Sequence, residues 1–431
     1  MTVIEYKKAI PVREEYDVIV AGGGPSGFIA AIAAARSGMR TAVIERNAFL
    51  GGMATAAMVA PISVCFFDGE LVQGGIHWEF IQRLEAEGGA KVEYPLGNVS
   101  FSPEKYKRLA ARMLQEAGVR MYLHTSLIDC QCENGTIKNV IISNKEGLSA
   151  LGAKMFIDAT GDADLALMAG VPMQPQDGEL QPASLIACLG GIDFDRFPKM
   201  HHALQGVNYH IEEVRDKMLR LAEERDIPCF GGPWLCYMMD ESTVLLNMTR
   251  CYVDFTDEAA AAEAECQLRE DAHRLVELLR ENVPGFENVR LMYTAQQAGV
   301  RETRHIRGVH ILTGEEFVSG YHFPDSIGRS SHPVDIHSAT STAQNCSFLR
   351  QAGYIPYRSI ITEGISNLLV PCRAFSADKV AFASCRVQAP LMGLGQAAGF
   401  AAAQCVKSGC SVQDADISAL RETLTAVGAN I

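Results

Sequence analysis

One stretch constrains the fold more than any other: residues 17–46, which read DVIVAGGGPSGFIAAIAAARSGMRTAVIER. The apolar run at 17–21 predicts a buried strand, the alanine-rich segment 27–37 predicts a helix, and 41–45 predicts a second strand. Connections this short are those of a β-α-β unit, in which the two strands are parallel. This stretch therefore predicts an α/β fold with a parallel strand pair.

Three glycines after the first strand, Gly22, Gly24 and Gly27, satisfy the pattern G-x-G-x-x-G. The first permits a tight turn, the second leaves room for a pyrophosphate beside the backbone, and the third lets helix and strand pack closely. The N-terminus of the helix offers free N–H groups to phosphate. Glu45, at the end of the second strand, can accept hydrogen bonds from ribose hydroxyls, and its charge disfavours the 2′-phosphate of NADP.

The choice between FAD and NAD depends on the rest of the chain. The fingerprint lies at the N-terminal end of a long sequence, and neither AGVR nor TGDADLALMAG qualifies as a second one. After Glu45 the chain continues through ERNAFLGGMAT, where Gly51 and Gly52 would let the backbone pass close to a ligand. Enzymes that use FAD and NAD in tandem folds normally carry two fingerprints. These features favour FAD.

Composition excludes several classes of protein. The 431 residues carry a net charge of −13, which argues against nucleic acid as the main partner. No uncharged apolar run reaches about 18 residues, and the N-terminus does not resemble a signal peptide. The 13 cysteines contain no Cys-x-x-Cys pair, which favours buried thiols in a reducing cytoplasm over a metal site or disulfides. We expect a cytoplasmic protein without a metal.

The organisation of the chain predicts two domains. Strands are expected at 119–124 and 135–143, joined by the turn at 133–135, and again at 154–159. Residues 170–350 are richer in charge, His, Met and Pro, with a strand at 246–255 and a helix at 257–281. A short strand at 367–370 and a small-residue helix at 391–407 then follow. We expect an α/β fold: a Rossmann-like FAD-binding domain with a three-layer parallel sheet (1–169 with 351–431) and an inserted α+β substrate domain (170–350). Whether 55–100 contribute to the second domain stays open.

Six segments occur in the order found in one known group of proteins. They are VIVAGGGPSGFIAAIAAARSG with VIER, LGGMAT, FIDATGDADLA, GVRETRHIRG, IPYRSII, and NLLVPCRAFSADKVAFASCRVQAPLMGLGQAAGFAAA. With them, the chain resembles FAD-dependent oxidoreductases of the glutathione-reductase-like superfamily, in the branch near fumarate reductase and succinate dehydrogenase flavoproteins. More narrowly, it is similar to a widespread bacterial family of FAD-dependent oxidoreductases. The resemblance covers most of the chain and implies a fold and a cofactor, but no substrate.

The resemblance also implies which residues lie along the FAD. Residues of the first half would hold the adenosine and the pyrophosphate, with the backbone near Leu127 at the adenine. Gly395, Gln396 and Ala397 would open a helix aimed at the flavin pyrimidine ring, where a helix N-terminus stabilises the negative charge of a reduced flavin. The implied cofactor-binding residues are Gly22, Gly24, Pro25, Ser26, Gly27, Glu45, Arg46, Gly51, Gly52, Met53, Leu127, Ala159, Thr160, Gly161, Arg373, Gly395, Gln396 and Ala397.

One departure from the family pattern stands close to the expected flavin. Pro371 and Cys372 precede Arg373, where the family usually has a glycine before the arginine. Two interpretations of Cys372 stay open: a redox-active thiol beside the flavin, or a buried structural thiol.

Candidates for substrate chemistry come from three further segments. HPVDIH supplies His337, YIPYRS supplies Arg358, and SCRVQ supplies Arg386. His337 is either a proton relay or a hydrogen-bonded core histidine. Arginine suits carboxylate binding, and the resemblance to fumarate reductases implies that Arg386 binds and protonates substrate. Each arginine has an ion pair as its alternative, and for Arg301 and Arg304 a buried ion pair or a pyrophosphate contact is favoured over catalysis.

Together these observations predict an enzyme that transfers a hydride between a small organic substrate and noncovalently bound FAD. The alternative is a flavin-binding subunit of an electron-transfer assembly, or a flavoprotein whose FAD is structural. A flavoenzyme that modifies nucleic acid is disfavoured by the acidic charge. Substrate, electron acceptor and oligomeric state are not predicted.

Overall fold

The computed structural model describes residues 3–5, 7–175, 180–197, 210–237 and 243–431. The helices of these residues are α1 (Pro25–Arg36), α2 (Ile76–Ala86), α3 (Pro103–Glu116), α4 (Asp164–Met168), α5 (His210–Glu224), α6 (Glu258–Asn282), α7 (Gly314–Val318), α8 (Lys379–Cys385), α9 (Gln388–Ser408) and α10 (Ile417–Ala426). The strands are β1 (Val12–Ala21), β2 (Thr41–Ile44), β3 (Phe66–Phe67), β4 (Glu70–Leu71), β5 (Ala90–Glu93), β6 (Asn98–Phe101), β7 (Arg120–Tyr122), β8 (Ser126–Glu133), β9 (Thr136–Asn144), β10 (Gly147–Asp158), β11 (Ala187–Gly190), β12 (Cys229–Tyr237), β13 (Thr243–Thr249), β14 (Arg290–Thr294), β15 (Ser326–Ser330), β16 (Val334–His337), β17 (Gln344–Ser347), β18 (Gly353–Pro356) and β19 (Leu368–Leu369).

The principal sheet has a parallel core. Its strand order is β7-β2-β1-β10-β9-β8, with β19 also paired to β10. β1 runs parallel to β2 and β10, β2 to β7, and β10 to β19. The first half of β10 forms an antiparallel meander with β9 and β8. A parallel-rich sheet built on a β-α-β start confirms the predicted α/β class.

Alternation along β1 explains why this sheet is covered on both faces. Val18 and Val20 pack into the core formed with α1, α3 and α9. Ile19 and Ala21 point to the opposite face and pack with residues of the meander and α4. Because side chains alternate between the faces of a strand, an uninterrupted apolar run requires a layer on each side.

Helix α9 crosses the first helix closely. It consists mainly of small residues and is almost completely buried. A Cβ atom at Gly395 would overlap the carbonyl oxygen of Ser26, and one at Gly399 would overlap the carbonyl oxygen of Ala30. Both glycines therefore let the α9 backbone approach α1 without an intervening side chain.

A second sheet, with strand order β12-β13-β11-β14, carries α5 and α6 against it. All of its neighbouring strands are antiparallel. Further along the chain, β15 pairs with β18, so a strand pair spans the boundary predicted at residue 350. The division into two domains stays a prediction.

Several predicted elements differ in their limits. The turn at 133–135 joins β9 to β8, a strand that the sequence did not predict, and not to the strand expected at 119–124, which is shorter and pairs with β2. The strand expected at 246–255 is shifted: β13 spans Thr243–Thr249, and residues 250–255 lie beyond its end. The helix expected at 391–407 begins earlier, at Gln388. Among the described residues, no helix combines the length and the hydropathy that a bilayer span requires.

Candidate active site

The glycine fingerprint forms the turn between β1 and α1. Gly22 has a positive φ of 94°, and a Cβ there would overlap the carbonyl oxygen of Ala159 at the end of β10. Gly27 lies inside α1 against the carbonyl oxygen of Gly22. At Gly24 a Cβ would meet its nearest neighbours only at 3.9 Å and 4.0 Å. The first and third glycines therefore serve packing, whereas the second leaves open space beside the backbone, as a pyrophosphate needs.

The N-terminus of α1 suits a phosphate group. Its N-cap is Gly24, which provides no side-chain cap, and Pro25 follows at the first helical position. Gly24, Pro25 and Ser26 all line the same cavity. Uncapped N–H groups and the positive end of the helix dipole favour an anion there.

Glu45 is held in place by the protein around it. Its Oε2 accepts from the backbone N–H of Gly23 at 2.9 Å, and its Oε1 accepts from the backbone N–H of Asn47 at 2.8 Å. The side chain is buried, yet it lines the cavity next to Arg46. A carboxylate oxygen has more than one lone pair, so Glu45 can still accept from ribose hydroxyls.

Of the other residues expected along the cofactor in this part of the chain, five line the cavity, whereas Gly51 and Leu127 do not. Gly52, Met53, Ala159, Thr160 and Gly161 line the cavity, as expected.

Gly51 instead packs against Thr55 and Tyr106, and the lining residues do not include it. Leu127 lies on the meander strand β8, paired with Ile142, and does not line the cavity either.

The placement of Gly395, Gln396 and Ala397 at a helix N-terminus was wrong. These residues lie inside α9 and are buried: Gly395 contacts α1, and Gln396 Oε1 accepts from the backbone N–H of Ile76 at 2.6 Å. The helix begins earlier because Pro390 falls in its first turn, where a missing N–H costs nothing.

The true N-terminus of α9 does reach the cavity. Val387 is the N-cap and provides no side-chain cap, and Val387, Gln388 and Leu391 are lining residues. The stabilisation of negative charge that was expected at Gly395 therefore belongs to the backbone at Gln388, where the helix begins.

A polar network surrounds Arg373. Its Nη2 donates to Asp162 Oδ1 at 2.5 Å, and Thr303 Oγ1 donates to the same oxygen at 2.6 Å. Burial opposes ionisation of Asp162, but the charge of Arg373 and the bond from Thr303 hold its pKa below the usual value. Arg373 lines the cavity, and its Nε is buried without a hydrogen-bond partner among the described residues. It is a donor available to a bound ligand.

Cys372, next to Arg373, is 3% exposed. Burial raises the pKa of its thiol to about 12, so the thiol stays protonated near neutral pH. Because the thiolate is the reactive form, the structure favours the buried structural thiol over the redox-active one.

The cavity itself has a volume of about 600 Å³ and extends from the fingerprint to the second sheet. Strand β12 supplies much of the far wall through Phe230, Trp234 and Leu235. Within the described residues, several lining side chains have a buried polar atom without a hydrogen-bond partner: Ser63 Oγ, Arg215 Nε, Trp234 Nε1, Asn247 Oδ1, Arg373 Nε, Arg386 Nε and Gln388 Oε1. Because buried polar groups are normally paired, these atoms mark a site for a polar ligand.

His337 lies at the far end of the cavity with both ring nitrogens engaged. Arg250 Nη2 lies 2.6 Å from Nδ1, and Asp335 Oδ2 lies 3.0 Å from Nε2. A guanidinium only donates and a carboxylate only accepts, so the ring carries its proton on Nε2. Burial, together with the charge of Arg301, lowers the pKa of His337 to about 3. A neutral ring bonded at both nitrogens orients its neighbours, and the geometry supports this role better than a proton relay.

Arg386 converges on the same carboxylate. Its Nη2 donates to Asp335 Oδ2 at 3.3 Å and to the Asp335 carbonyl oxygen at 3.1 Å. Gln344 donates to Asp335 Oδ1 at 2.7 Å. Burial opposes ionisation of Asp335, but the hydrogen bond from His337 and the charge of Arg386 hold its pKa far below the usual value. Asp335 is therefore a permanent anion that fixes Arg386 beside the cavity.

Arg358 does not belong to this site. Its Nε donates to Asp325 at 2.9 Å, its side chain is 45% exposed, and the cavity lining does not include it. The ion-pair alternative is the one that the structure supports.

Two further arginines lie at this end of the cavity, Arg301 in its wall and Arg250 behind it. Arg301 lines the cavity and donates to the carbonyl oxygen of Pro182 at 2.6 Å and to Ser184 Oγ at 2.9 Å. Arg250 is 1% exposed and lies over the ring of Phe230, 5.0 Å from its centroid. One sequence feature could have indicated Arg250: it directly follows the apolar residues of β13. Within the described residues, no group of three or more His, Cys, Asp or Glu side chains is arranged to hold a metal ion.

A cavity that starts at G-x-G-x-x-G and the uncapped end of α1 defines an α/β protein that binds a dinucleotide cofactor. Residues 17–424 match the model of the family described as FAD dependent oxidoreductase. The chain belongs to this family, and FAD is its cofactor, as the sequence predicted.

Similarity to individual proteins is more limited. The chain is 33% identical over 100 residues to a dihydrolipoyl dehydrogenase of Trypanosoma brucei brucei, covering 23% of this chain and 20% of that protein. It is 23% identical over 202 residues to digeranylgeranylglycerophospholipid reductase 1 of Methanococcoides burtonii, covering 43% and 47%. The chain thus spans less than half the length of these curated relatives. A crystal structure of a geranylgeranyl bacteriochlorophyll reductase-like protein from Thermoplasma acidophilum aligns with 96% of this chain and 84% of its own, at a TM-score of 0.49 and 14% identity.

Proposed function

We propose that the protein transfers a hydride between a small organic substrate and noncovalently bound FAD. One observation carries the proposal: a single cavity joins the fingerprint and the N-termini of α1 and α9 to the buried cluster of Arg386, Asp335 and His337. When bound, FAD supplies two-electron redox chemistry, which needs a substrate held in the same enclosed space.

The chain's own residues have separable tasks in this proposal. The α1 N-terminus and Gly24 hold the pyrophosphate, and Glu45 holds the adenosine ribose. The uncapped N-terminus of α9 stabilises negative charge in the middle of the cavity. Arg386 orients substrate, while Asp335 and His337 keep the guanidinium in position.

The first test is extraction of the cofactor. We expect the purified protein to be yellow, to be bleached by dithionite, and to release FAD on heat denaturation without proteolysis. Failure to bind flavin both after purification and after reconstitution would overturn the proposal, and flavin that stays with the denatured chain would overturn the noncovalent part.

The second test separates an enzyme from a carrier of structural flavin. We expect a small organic donor to bleach the flavin of the isolated protein anaerobically, and we expect Arg386→Gln to slow this bleaching with the flavin content unchanged. If bleaching required a second protein, the electron-transfer subunit would be the better description.

A further inference from the structure

The buried end of the cavity carries more positive than negative charge. We use the term arginine cluster for Arg250, Arg301 and Arg386. Their guanidinium groups face two carboxylates among the described residues: Asp335, bonded to Arg386, and Glu302, whose charge also acts on Arg386. Three positive charges therefore meet at most two negative ones.

Glu302 does not compensate this surplus fully, because it has other partners. Its Oε2 accepts from the backbone N–H of Gln181 at 2.9 Å, and its Oε1 lies 3.4 Å from His305 Nε2. The charge of Lys379 also acts on it. Glu302 is absent from the residues that line the cavity, so its charge is directed partly away from it.

Arg301 lines the cavity without a hydrogen bond to a carboxylate among the described residues. Its hydrogen bonds to described residues go to a carbonyl oxygen and a hydroxyl, at Pro182 and Ser184, and not to a carboxylate. Burial and the nearby charge of Arg386 lower the pKa of Arg301 to about 9. A buried cation without an anionic partner is unfavourable, and an anion entering the cavity would relieve that cost.

The unused hydrogen-bond donors indicate which anion fits. Among the described residues, only Nη1 of Arg301 has hydrogen-bond partners, and Arg386 Nε is buried without one. Each guanidinium therefore keeps N–H donors for a ligand, and its planar fork matches the two oxygens of a carboxylate. At the cavity wall itself, Arg301 and Arg386 face one carboxylate, Asp335, so one added carboxylate would balance these two guanidinium groups.

Apolar side chains line part of the far wall next to the arginine cluster. Phe230 lies beneath two members of the arginine cluster, with its ring centroid 5.0 Å from Arg250 Cζ and 5.9 Å from Arg301 Cζ. Ile186, Leu235 and Leu245 line the cavity beside it. A ligand held at the arginine cluster would place its remaining atoms against these side chains.

We propose that the substrate is a monocarboxylate with an apolar body, and that Arg301 and Arg386 bind its carboxylate. This inference rests on the proposed function and specifies its substrate class. Arg250 acts one step away: through His337 Nδ1 it fixes the ring that donates to Asp335, and Asp335 fixes Arg386.

The test compares carboxylates with their uncharged amides. The flavin-loaded protein is titrated by calorimetry with acetate, butanoate, hexanoate, octanoate and phenylacetate, and with the primary amide of each. We expect at least one carboxylate to bind at least tenfold more tightly than its amide. If every amide bound as well as its carboxylate, or if no carboxylate bound, the proposal would be overturned. The readout is heat of binding and not turnover, so a carboxylate that binds without reacting would count against the proposed function alone.

Variants then identify the residues. We expect Arg301→Gln to weaken carboxylate binding at least tenfold with flavin content unchanged, and Arg301→Lys to restore part of the loss. Arg358→Gln is the matched control, since Arg358 pairs with Asp325 outside the cavity, and it should bind carboxylate normally. Loss of flavin from Arg301→Gln, with carboxylate affinity intact, would assign Arg301 to the cofactor and reject the proposal.

Discussion

At the scale of single residues, Gly22 shows why a nucleotide-binding turn needs glycine for two separate reasons. Its φ of 94° lies in a region that L-residues rarely adopt, and its missing side chain leaves room for the carbonyl oxygen of Ala159. Gly38, with a φ of 88°, shares the first property, but a Cβ there would meet nothing within 4 Å. The two glycines therefore separate backbone strain from steric overlap.

We predict that Gly22→Ala abolishes FAD retention, whereas Gly38→Ala retains FAD. Gly38→Ala should cost about 1–2 kcal/mol of unfolding free energy for its backbone conformation alone. Gly22→Ala should cost more, because β1 and β10 must also separate at the cavity. Flavin content per chain and urea unfolding measure both effects, and equal losses in the two variants would contradict the argument.

At the scale of elements, the crossing of α1 and α9 positions both helix N-termini at the cavity. The distance between them depends on small residues, because the backbones touch at Gly395 and Gly399. A side chain at either position would push α9 away from α1 and displace Gln388 from the cavity wall.

We predict that Gly395→Ala lowers the unfolding free energy by about 1–3 kcal/mol, as overpacking does in other cores. Gly393→Ala, in the same helix, is the control, because its Cβ would meet the end of the Gln73 side chain and not a backbone. Thermal unfolding of the two variants should show the larger loss for Gly395→Ala. A stabilised Gly395→Ala variant would mean that α9 has room to gain helix propensity.

The limits of sequence reasoning also appear at this scale. The start of helix α3 has a local sequence signal, because Ser102 accepts from the backbone N–H of Lys105 and Pro103 follows it. Strand β8 escaped prediction because Asp129, Gln131 and Glu133 give this edge strand the composition of a loop.

In the candidate active site too, local features were predictable from the sequence and long-range contacts were not. The fingerprint is local and was predicted, with Gly22, Gly24 and Glu45 in place. Arg250 pairs with His337, and Asp335 pairs with Arg386. The partners in each pair lie far apart in the sequence, so no short motif predicts these contacts.

At the scale of the whole molecule, we expect bound FAD to stabilise the folded state. The cavity is lined by residues of the N-terminal third, of the second sheet and of the start of α9. A ligand that contacts all three stabilises the folded state, because the unfolded chain has no such site.

We predict that removing FAD lowers the melting temperature and that adding it back restores it. At a free FAD concentration of one hundred times Kd, the stabilisation should be about 2.7 kcal/mol. NADP should not replace FAD, because Glu45 would face its 2′-phosphate. Differential scanning fluorimetry of the apoprotein measures this, and an equal shift with NADP would show that Glu45 does not select the nucleotide.

Strand β12 has a consequence for how selectivity can change in such a protein. One uninterrupted segment of nine residues supplies Phe230, Trp234 and Leu235 to the chamber, yet it takes no part in the nucleotide-binding turn. Mutations confined to this segment can alter which compounds are accepted while every residue that holds the cofactor keeps its identity. A library randomised along β12 would therefore test whether this strand determines which compounds the protein accepts.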